Sequence, residues 1–399
     1  MSNKEERKAP VLRFKGFTDD WEQRKLGDIA KRVIRKNKEN DILPVLTNSA
    51  DLGIVLQNDY FDKAIAKNLN NYYIVSHNDF VYNPRISKKA PFGPINRNKL
   101  NIQGVMSPLY LVFRFNSEMD LNFLEYYFQS SKWYPFMYKN GDSGARADRF
   151  AIKNSILMNM TINVPTLDQQ KRIGKILLLL ENSIALQQRK LEQLELLQKS
   201  ILQTIFTSNN KKEKIELNKL ANYRRGSFPQ PYTNKKWYGG KNSKPFVQVI
   251  DVNDNLKLHE QTKERISEIA QPKSVFVPKG SIIVTLQGSI GRVAITQYDS
   301  YVDRTLLILT DFKKKIDKYY FANALKMVFN KEKLKAPGGT IKTITKSTLS
   351  SFKIVLPNIK LQIQYGKLLK SVDKQIILNK NRIMKLKKIK QFLLQNIFI

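Results

Sequence analysis

The sequence contains no cysteine, which excludes disulfide bonds and thiolate metal ligands. Only two histidines occur, His77 and His259, and they lie far apart in the sequence, so a zinc site is not expected. No apolar run approaches the roughly 18 residues of a membrane-spanning helix, and the polar opening MSNKEERKAP lacks a signal-peptide pattern. These absences predict a soluble, non-secreted protein without disulfides or bound zinc.

Several signatures of catalytic sites are also missing. Neither the dinucleotide-binding pattern G-x-G-x-x-G nor the Gly-Lys-Ser/Thr of a phosphate-binding P-loop occurs. There is no Pro-Pro pair, which excludes the Asn/Asp-Pro-Pro-aromatic motif of amino-methyltransferases. Two isolated histidines supply no Ser/His/Asp set, and the carboxylates form no cluster. The sequence therefore predicts no catalytic, cofactor-binding or metal-binding residues, and a protein that is not itself an enzyme.

Acidic residues are scarce relative to basic ones. The chain has 69 lysines and arginines against 34 aspartates and glutamates, a net charge of +35. Such an excess repels itself unless a polyanion neutralises it, and each phosphate contact on nucleic acid releases condensed counterions. Nucleic acid is therefore the first expected partner. An anionic membrane surface is a second interpretation of the charge, and an ordinary solvated surface is a third.

What the sequence does contain is a long internal repeat. When the chain is displaced by 192 residues, 165–206 aligns with 357–398 without a gap, and 12 of the 42 positions are identical. Upstream the match is looser: WEQRKLGDIAKR (21–32) resembles KIELNKLANYRR (214–225), and YYFQSS (126–131) resembles YYFANA (319–324). A period this long, seen twice, indicates a duplication rather than a solenoid, whose repeats are short. The identical positions are Pro165, Gln170, Gly174, Lys175, Leu177, Ile184, Leu186, Leu194, Leu202, Gln203, Ile205 and Phe206.

The gapless segments predict two long helices. In each one, alternating steps of four and three residues reach apolar or aromatic side chains at eight of ten positions. This 3.5-residue period is typical of a coiled coil. The polar exceptions fall at matching places, Gln187 with Asn379 and Gln198 with Lys390, where polar residues commonly fix register. The predicted seam comprises Ile173, Leu177, Leu180, Ile184, Leu191, Leu194, Ile201 and Ile205, and then Leu369, Val372, Ile376, Ile383, Leu386, Leu393 and Ile397.

Each predicted helix has a start signal. Thr166-Leu-Asp-Gln169 is a capping-box pattern, and Asn358 is a good N-cap. With about 40 residues each, the helices would run roughly 60 Å. Residues 167–206 carry six basic and four acidic side chains, whereas 359–398 carry ten and one. The excess of basic residues in the second helix fits either a solvent-exposed face or a helix that lies along DNA phosphates. The alternative to a coiled coil is that each helix packs on its own domain.

Short apolar runs separated by turns fill the rest of the chain. The runs are ILPVL (42–46), NYYIV (71–75), DFVYN (79–83), LYLVFRF (109–115), FVQVIDV (246–252), SIIVTL (281–286), RVAIT (292–296) and RTLLIL (304–309), with aromatic-rich helices near 120–131 and 317–330. The pattern predicts an α+β fold with two pseudo-symmetric α/β domains separated by two long helices. The expected boundaries are an N-terminal segment 1–20, domain 1 at 21–165, a helix at 166–206, a linker at 207–214, domain 2 at 215–357 and a helix at 358–399.

Six loops mix glycine, aromatic and basic residues: NPRISKKAPFG (83–93), GDSGARADRF (141–150), YRRGSFPQPY (223–232), NKKWYGGKNSK (234–244), QGSIGR (287–292) and PGGTIKTITK (337–346). Glycine lets a backbone approach a phosphate, Arg and Lys can pair with phosphates or guanine edges, and Asn or Gln can read adenine. Taken singly, each loop is more simply an ordinary turn. The candidate DNA-contacting residues are Arg85, Lys88, Lys89, Arg146 and Arg149 in domain 1, and Arg224, Arg225, Arg292, Lys342 and Lys346 in domain 2.

In this order, the motifs resemble those of the specificity subunits of Type I restriction–modification systems, over nearly the whole chain. LRFKGFTDDWEQRKLGDI (12–29) is similar to the opening of that family, and INVPTLDQQKRIGKIL (162–177) to the junction between a recognition domain and a conserved helix. GSFPQP (226–231) and GSIGR (288–292) resemble recurrent features of the target recognition domains. One departure lies in VLPNIKLQIQYGKLL (355–369), where Lys360-Leu361 replaces the Asp168-Gln169 of the first copy, but the heptads continue past it.

The resemblance implies a non-catalytic, cytoplasmic subunit that binds double-stranded DNA and no membrane. Each target recognition domain would read one half of an asymmetric, interrupted site, and the two helices would pack as an antiparallel coiled coil that sets the spacer. The implied partners are two modification subunits, which bind S-adenosylmethionine and methylate adenine, and restriction subunits, which use ATP and Mg²⁺ for translocation and cleavage. This chain itself would bind no cofactor.

Antiparallel helices would relate the two halves by a pseudo-two-fold axis, with half-sites about one DNA turn, roughly 34 Å, apart. The echo between ILQTIF (201–206) and LLQNIF (393–398) would then place each helix end beside the other copy's domain. We expect these ends to anchor to that domain or to face a modification subunit, with the second copy complete at Ile399. The alternatives are a basic protein that binds nucleic acid without reading its sequence, and a nuclease or methyltransferase that acts alone.

Overall fold

The computed structural model describes residues 9–38, 43–61, 69–142, 148–206, 213–335 and 346–399. The chain divides into two compact units, residues 1–188 with 382–399 and residues 189–381. We call these unit 1 and unit 2. Each unit contains one globular domain together with part of the first long helix and part of the second. Among the described helices, none is both long and apolar enough to cross a membrane.

Unit 1 contains a four-stranded antiparallel sheet with the order β2-β9-β6-β7, and the strand pairs β1-β10, β3-β4 and β5-β8. The strands are β1 (Glu22–Lys25), β2 (Ala30–Arg32), β3 (Leu46–Ser49), β4 (Gly53–Leu56), β5 (Tyr73–Val75), β6 (Phe80–Tyr82), β7 (Ile95–Arg97), β8 (Gly104–Met106), β9 (Leu111–Phe115) and β10 (Thr161–Val164). The helices are α1 (Leu26–Ile29), α2 (Gln57–Tyr60), α3 (Leu121–Gln129), α4 (Tyr134–Asn140), α5 (Asn154–Met158) and the first part of α6 (Leu167–Phe206).

Unit 2 has the sheet β12-β19-β16-β17, a second sheet β14-β13-β18-β15, and the pair β11-β20; only β13 and β18 pair in parallel among these described strands. The strands are β11 (Lys214–Glu216), β12 (Asn222–Arg225), β13 (Lys244–Val247), β14 (Glu264–Ile266), β15 (Val275–Val277), β16 (Ile282–Thr285), β17 (Val293–Ile295), β18 (Ser300–Val302), β19 (Leu306–Thr310) and β20 (Lys353–Val355). The helices are α7 (Leu217–Leu220), α8 (Lys318–Lys335), α9 (Lys346–Ser350) and α10 (Ile359–Asn396), of which the first part belongs to this unit.

The two units repeat one design. The sheet β2-β9-β6-β7 has its counterpart in β12-β19-β16-β17, and the pair β1-β10 before α6 has its counterpart in β11-β20 before α10. The remaining strands correspond as well. In unit 1 the pairs β3-β4 and β5-β8 meet at a parallel bridge between Val45 and Val105, as β13-β14 and β15-β18 meet through the parallel pair β13-β18 in unit 2. We call β2-β9-β6-β7 and β12-β19-β16-β17 the shared sheet of each unit. The α+β duplication predicted from the sequence is therefore present in both parts of each domain.

The looser upstream sequence matches do not align the residues that occupy equivalent positions in the two domains. The sequence match aligned these segments 193 residues apart, whereas α1 and α7 begin at Leu26 and Leu217, 191 apart, and the N-caps of α3 and α8 are Asp120 and Asp317, 197 apart. The errors are two residues next to a strand and four residues in a helix. Two residues are one period of a strand, and four residues are about one turn of a helix. Apolar residues therefore still align with apolar residues, and the misaligned segments resemble each other in sequence.

In each unit the core lies between the shared sheet and the domain helix. Phe80 and Phe113 of the sheet pack with Phe123 of α3 in unit 1, and all three are fully buried. Ile282 and Phe321 form the matching contact in unit 2. Burying one such side chain contributes about 1.5–3 kcal/mol. This core holds the domain helix, and with it the surface that meets the long helices, in a defined place.

Some predicted strands differ from the observed ones in extent. The run ILPVL (42–46) belongs to β3 only at Leu46, because β3 spans Leu46–Ser49. The run FVQVIDV (246–252) is a strand only to Val247, and Val249–Asp251 forms a 3₁₀ turn. The buried Asp251 carboxylate accepts hydrogen bonds from the backbone N–H of Gln248 at 2.8 Å and of Lys263 at 2.7 Å, and this local pairing replaces the strand ladder. Burial raises the pKa of Asp251, although these two hydrogen bonds oppose the shift.

The long helices α6 and α10 have 40 and 38 residues. All fifteen residues of the proposed seam are buried or half-buried, whereas Leu186 on the opposite side of α6 is 63% exposed. In unit 1 the start of α6 at Ile173 shares a cluster with the end of α10 at Ile397, and in unit 2 the end of α6 at Ile205 shares one with Leu369 near the start of α10. Within each unit the helices are therefore antiparallel.

Candidate nucleic-acid interface and its mounting on the helices

The first joint between domain 1 and α6 uses residues that are identical in the two copies. The side-chain oxygen of Gln170 accepts a hydrogen bond from the backbone N–H of Asp120 at 3.0 Å, and its amide nitrogen donates to the carbonyl of Pro165 at 2.9 Å. Gly174 faces the same N-cap, and a Cβ there would lie 2.5 Å from Asp120 Oδ1. The glycine is therefore required by the close approach of the N-terminus of α3 to α6.

Unit 2 has the same joint. Gln362 accepts a hydrogen bond from the backbone N–H of Asp317 at 3.1 Å and donates to the carbonyl of Pro357 at 2.7 Å. A Cβ on Gly366 would lie 2.3 Å from Asp317 Oδ1. The repeated Pro, Gln and Gly thus form the same contact between the domain and its long helix in both units. In the sequence they appear only as identical residues.

A second tie joins domain 1 to both long helices. Tyr126 of α3 donates from its hydroxyl to Glu181 Oε2 at 2.8 Å, and Lys390 of α10 donates to Glu181 Oε1 at 2.7 Å. The Lys390 ammonium also lies 5.3 Å from the centre of the Tyr126 ring, so the three side chains form a closed triangle. We call Tyr126, Glu181 and Lys390 the domain-1 lock.

The corresponding tie in unit 2 lacks the cation. Tyr319 of α8 donates to one oxygen of Asp373, and Gln198 of α6 donates to the other. Asp373 lies 192 residues after Glu181, and Gln198 lies 192 before Lys390, so both partners occupy repeated positions. We call Tyr319, Asp373 and Gln198 the domain-2 lock.

The pKa shifts in the locks follow from burial and from the carboxylates. Burial raises the pKa of Tyr126 and of Tyr319, and the hydrogen bond and negative charge of the adjacent carboxylate raise it further. Burial by itself would raise the pKa of Glu181, but the hydrogen bond and charge of Lys390, with the hydrogen bond from Tyr126, leave it below its ordinary value. Each tyrosine therefore stays a donor at neutral pH, and Glu181 stays an acceptor.

The repeated helix endings also contact the domains. The Phe398 ring lies 5.4 Å from that of Phe123 and 5.9 Å from that of Tyr127, and it is fully buried in domain 1. In unit 2 the Phe206 ring lies 5.2 Å from that of Tyr320. The end of each long helix is thus anchored to the domain of the other copy, as the first of the two expectations for ILQTIF and LLQNIF predicted.

The candidate DNA-contacting residues of domain 1 lie on two neighbouring loops. Arg85 and Arg149 face each other in an antiparallel bridge, which brings the two predicted basic loops together. The exposed Arg85 side chain pairs with Asp148 at 3.5 Å. Lys88 is exposed in the turn that follows Arg85, and Arg146 lies outside the described residues.

Two further candidates are engaged by acidic groups of their own domains. Lys89 lies 2.6 Å from Asp51. Arg292 lies 2.9 Å from Asp254 and donates to the carbonyl of Val252 at 3.3 Å. Arg292 therefore ties the Gly-Ser-Ile-Gly loop to a neighbouring loop, so its role in this structure is partly architectural.

The remaining candidates are split between an exposed edge and residues that are not described. Arg224 and Arg225 are exposed on β12, the edge strand of the shared sheet in unit 2, whereas Arg292 adjoins β17 at the opposite edge. Lys342 lies outside the described residues, and Lys346 begins α9 with a side chain that is outside them too. The structure therefore does not bring the domain-2 candidates into one group.

Sequence reasoning missed an aromatic and basic surface that continues from β12. The ammonium groups of Lys236 and Lys273 lie 4.4 and 5.1 Å from the Trp237 ring, and the Arg304 guanidinium lies 5.0 Å from the Tyr232 ring. All three cations are exposed. The pattern of RTLLIL predicts a strand from Arg304, but β19 begins only at Leu306, which leaves Arg304 in a turn.

Hydrogen bonds hold these residues beside the end of β12. The Ser227 hydroxyl donates to the carbonyl of Lys273 at 3.0 Å, and the Tyr232 hydroxyl donates to Asp303, the neighbour of Arg304. We call the exposed cations of β12 and of the segments beside its end the domain-2 basic surface: Arg224, Arg225, Lys236, Lys273 and Arg304. The loops YRRGSFPQPY and NKKWYGGKNSK were the signals available in the sequence, whereas Lys273 lies in no motif.

Domain 1 has a basic surface at the same edge. β2 occupies the edge position that β12 occupies in unit 2, and it continues into an exposed basic stretch. We call Lys31, Arg32, Arg35 and Lys36 the domain-1 basic surface. Within the described ranges, no group of three or more His, Asp or Glu side chains could hold a metal ion. Both surfaces consist of exposed arginine and lysine side chains, which are among the residues that contact phosphates in protein–DNA complexes.

Comparison with known proteins agrees with this architecture. Residues 18–196 and 209–388 each match the family described as Type I restriction modification DNA specificity domain. The type I restriction enzyme MjaX specificity subunit of Methanocaldococcus jannaschii is 23% identical over 258 residues, and the match spans 60% of this chain and 59% of that relative.

Two solved structures share the fold. The S subunit of a Type I restriction–modification system from M. genitalium has a TM-score of 0.64 at 15% identity, over 98% of this chain and 99% of that one. A chain solved in work on complex assembly and conformational transition of the type I R-M system has a TM-score of 0.55 at 15% identity, over 94% and 96%. With two family matches that together cover most of its length, the chain belongs to the Type I restriction–modification DNA specificity family, of which it carries two domains.

Proposed function

We propose that this chain is the DNA-reading subunit of a Type I restriction–modification assembly. Each domain contacts one half of an asymmetric, interrupted site in double-stranded DNA, and the two long helices set the spacer. One observation carries the proposal: the same domain occurs twice, each copy is tied to both long helices, and each presents a basic surface at the same edge of its shared sheet.

The division between affinity and specificity follows from the two parts of each domain. The basic surfaces supply phosphate contacts, which position DNA without reading it. Sequence is read by side chains that reach base edges, for which Arg, Lys, Asn and Gln are the usual donors. Because the two domains differ in sequence, the two half-sites differ as well, and the target is asymmetric.

The modification subunits dock on exposed apolar residues of the long helices in this proposal. In unit 1 these residues are Ile176, Leu179, Leu186, Met384, Ile389 and Phe392, and in unit 2 they are Leu196, Leu197, Leu368 and Leu378. Each unit thus offers apolar side chains on both of its helix segments, which supports two modification subunits per chain. A solved relative comes from work on the assembly of such a complex.

The chain acts without catalysis of its own, in the cytoplasm. S-adenosylmethionine belongs to the modification subunits, and ATP with Mg²⁺ to the restriction subunits. Nuclease or methyltransferase activity of the purified single chain, supplied with Mg²⁺ or S-adenosylmethionine, would overturn this part of the proposal.

The test is methylome sequencing of a host that expresses this chain with its modification subunit. We expect methylated adenines in one bipartite motif with two different half-sites and a fixed spacer. Methylation without a motif, or binding that ignores sequence at physiological salt, would instead indicate a nucleic-acid-binding scaffold that does not read its target.

The basic surface of domain 2 is tested by replacing Arg225 and Arg304 with alanine, one at a time. A phosphate contact should weaken binding to all sites about equally and lower the salt slope of binding by about one, whereas a base contact should relax one position of the motif at a cost of about 1–3 kcal/mol. Arg292→Ala is the control, because its guanidinium is already paired with Asp254. Unchanged binding in both variants would remove this surface from the interface.

A further inference from the structure

We propose that the domain-1 lock and the domain-2 lock are positioning devices, which fix the angle of each domain on the long helices and so the spacer that the protein accepts. The proposal rests on the DNA-reading function above. It concerns residues that belong to neither basic surface and that act only through the orientation of the domains.

The geometry points to orientation because each domain has two ties to its long helix. In unit 1 the first is Gln170 at the N-cap of α3, and the second is Glu181 in the lock. These positions are 11 residues apart, about 16 Å along a helix that rises 1.5 Å per residue. The apolar contact of Phe398 and one hydrogen-bonded tie would still allow the domain to tilt, and a second directional tie at this distance restricts that tilt. Gln362 and Asp373 repeat the arrangement in unit 2 with the same separation.

Each lock also joins the two long helices to each other. Glu181 binds Tyr126 of the domain with one oxygen and Lys390 of the other helix with its second, so the carboxylate is shared. A slip of either helix by one turn, about 5.4 Å, would break the contact. Helix register and domain angle are therefore fixed at the same point.

The locks differ in charge. The domain-1 lock contains an ion pair whose partners, Lys390 and Glu181, are 18% and 35% exposed, so dissolved salt weakens it only in part. In the domain-2 lock the carboxylate of Asp373 is buried and receives two neutral donors. Lys390 and Gln198 occupy equivalent positions of the two copies. Substituting each with the other's residue therefore changes the charge of a lock but keeps a hydrogen-bond donor at each position.

The first experiment measures domain orientation in the full chain, which has no native cysteine and so accepts pairs of spin labels. Labels at Y138C and L186C report on unit 1, and labels at I269C and L196C report on unit 2; all four sites are exposed. Raising the salt from about 0.1 M to about 1 M, which shortens the screening length from roughly 10 to 3 Å, should broaden the distance distribution of unit 1 and leave that of unit 2 unchanged.

The exchange variants give the decisive readout. K390Q should abolish the salt response of unit 1, and Q198K should create one in unit 2. Lys388→Met, at an exposed neighbouring position of α10, is the control and should change neither. A salt response that ignores the exchange, or a distribution that stays narrow in Tyr126→Phe and Tyr319→Phe, overturns the proposal.

The second experiment connects orientation to function. With the modification subunits present, binding is compared between the native target and targets with the spacer changed by one base pair. Tyr126→Phe should reduce the preference for the native spacer by about ten-fold, or 1.4 kcal/mol, with the half-site bases unchanged. If the wild-type complex selects no bipartite target, the proposed function fails; if it does and the variant keeps the full spacer preference, only the lock inference fails.

Discussion

Gly174→Ala makes an unusual test, because helix propensity and the structure predict opposite signs. Gly174 lies inside α6, where alanine is about 1 kcal/mol more favourable than glycine. In this structure, however, the new methyl group would lie 2.5 Å from Asp120 Oδ1 and 2.9 Å from the backbone nitrogen of Phe123. The N-cap of α3 must therefore move away from α6.

The structural cost exceeds the propensity gain. Asp120 Oδ1 caps α3 by accepting from the Phe123 N–H at 2.8 Å, and losing such a cap costs about 1 kcal/mol. Overpacking of a close contact costs about 1–3 kcal/mol. After the gain of about 1 kcal/mol is subtracted, Gly174→Ala should destabilise unit 1 by about 2 kcal/mol. For a unit of this size the melting temperature should fall by about 4–8 °C.

Calorimetry of the full chain measures this change. Ser183→Ala, on an exposed position of the same helix, is the matched control and should leave the melting temperature unchanged or slightly raised. Asp120→Ala should reduce the effect of Gly174→Ala in a double-mutant cycle, because the nearest clashing atom and the cap are then already absent. A rise in melting temperature for Gly174→Ala itself would refute the close approach of α3 to α6.

Three further outcomes are expected. Phe398→Ala should cost unit 1 about 3–5 kcal/mol in denaturant unfolding, because it leaves a cavity beside Phe123; a loss below about 1 kcal/mol would contradict this anchoring. Burial raises the pKa of Tyr298 to about 12, so the folded state holds the phenolic proton more tightly than the unfolded state does. Its contribution to stability should be full below pH about 10 and be lost as the pH rises toward 12, and Tyr298→Phe should lack this alkaline loss in pH-dependent unfolding. Arg292→Ala should cost about 0.5–1 kcal/mol of stability without changing the salt slope of DNA binding, since it removes a partly exposed pair with Asp254; a lower slope would make Arg292 a phosphate contact.

The parts of the fold that the sequence predicted are those with local signals. The long helices follow from an apolar period of 3.5 residues, and the Asn358 side chain accepts from the backbone N–H of Leu361 at 3.0 Å, as expected of an N-cap. The strand predicted at FVQVIDV ends early because a side chain competes with the ladder, as Asp251 does after β13. Such competition depends on a partner elsewhere in the chain, Lys263, which no local pattern indicates.

The candidate site was harder to predict from the sequence than the fold was. Basic loops were recognisable, but Arg292 proved to be held by Asp254, and Arg304 was placed in a strand although it lies in a turn over Tyr232. The polar seam residues Gln198 and Lys390 were expected to fix register. Their partners could not be named, because a seam pattern locates a position on a helix but not what faces it.

The duplication, the long amphipathic helix at the end of each copy and the strongly basic composition could all be read from the amino-acid sequence, because periodicity, identity and charge are properties of the residues themselves. The folded structure was needed to explain why Gln170 and Gly174 recur, since their role is a close approach to Asp120, about 50 residues away in the chain. It also decided that Glu181 and Asp373 bind a domain on one side and the other long helix on the other. Contacts between distant segments depend on how the segments pack together, and no single segment of sequence contains that information.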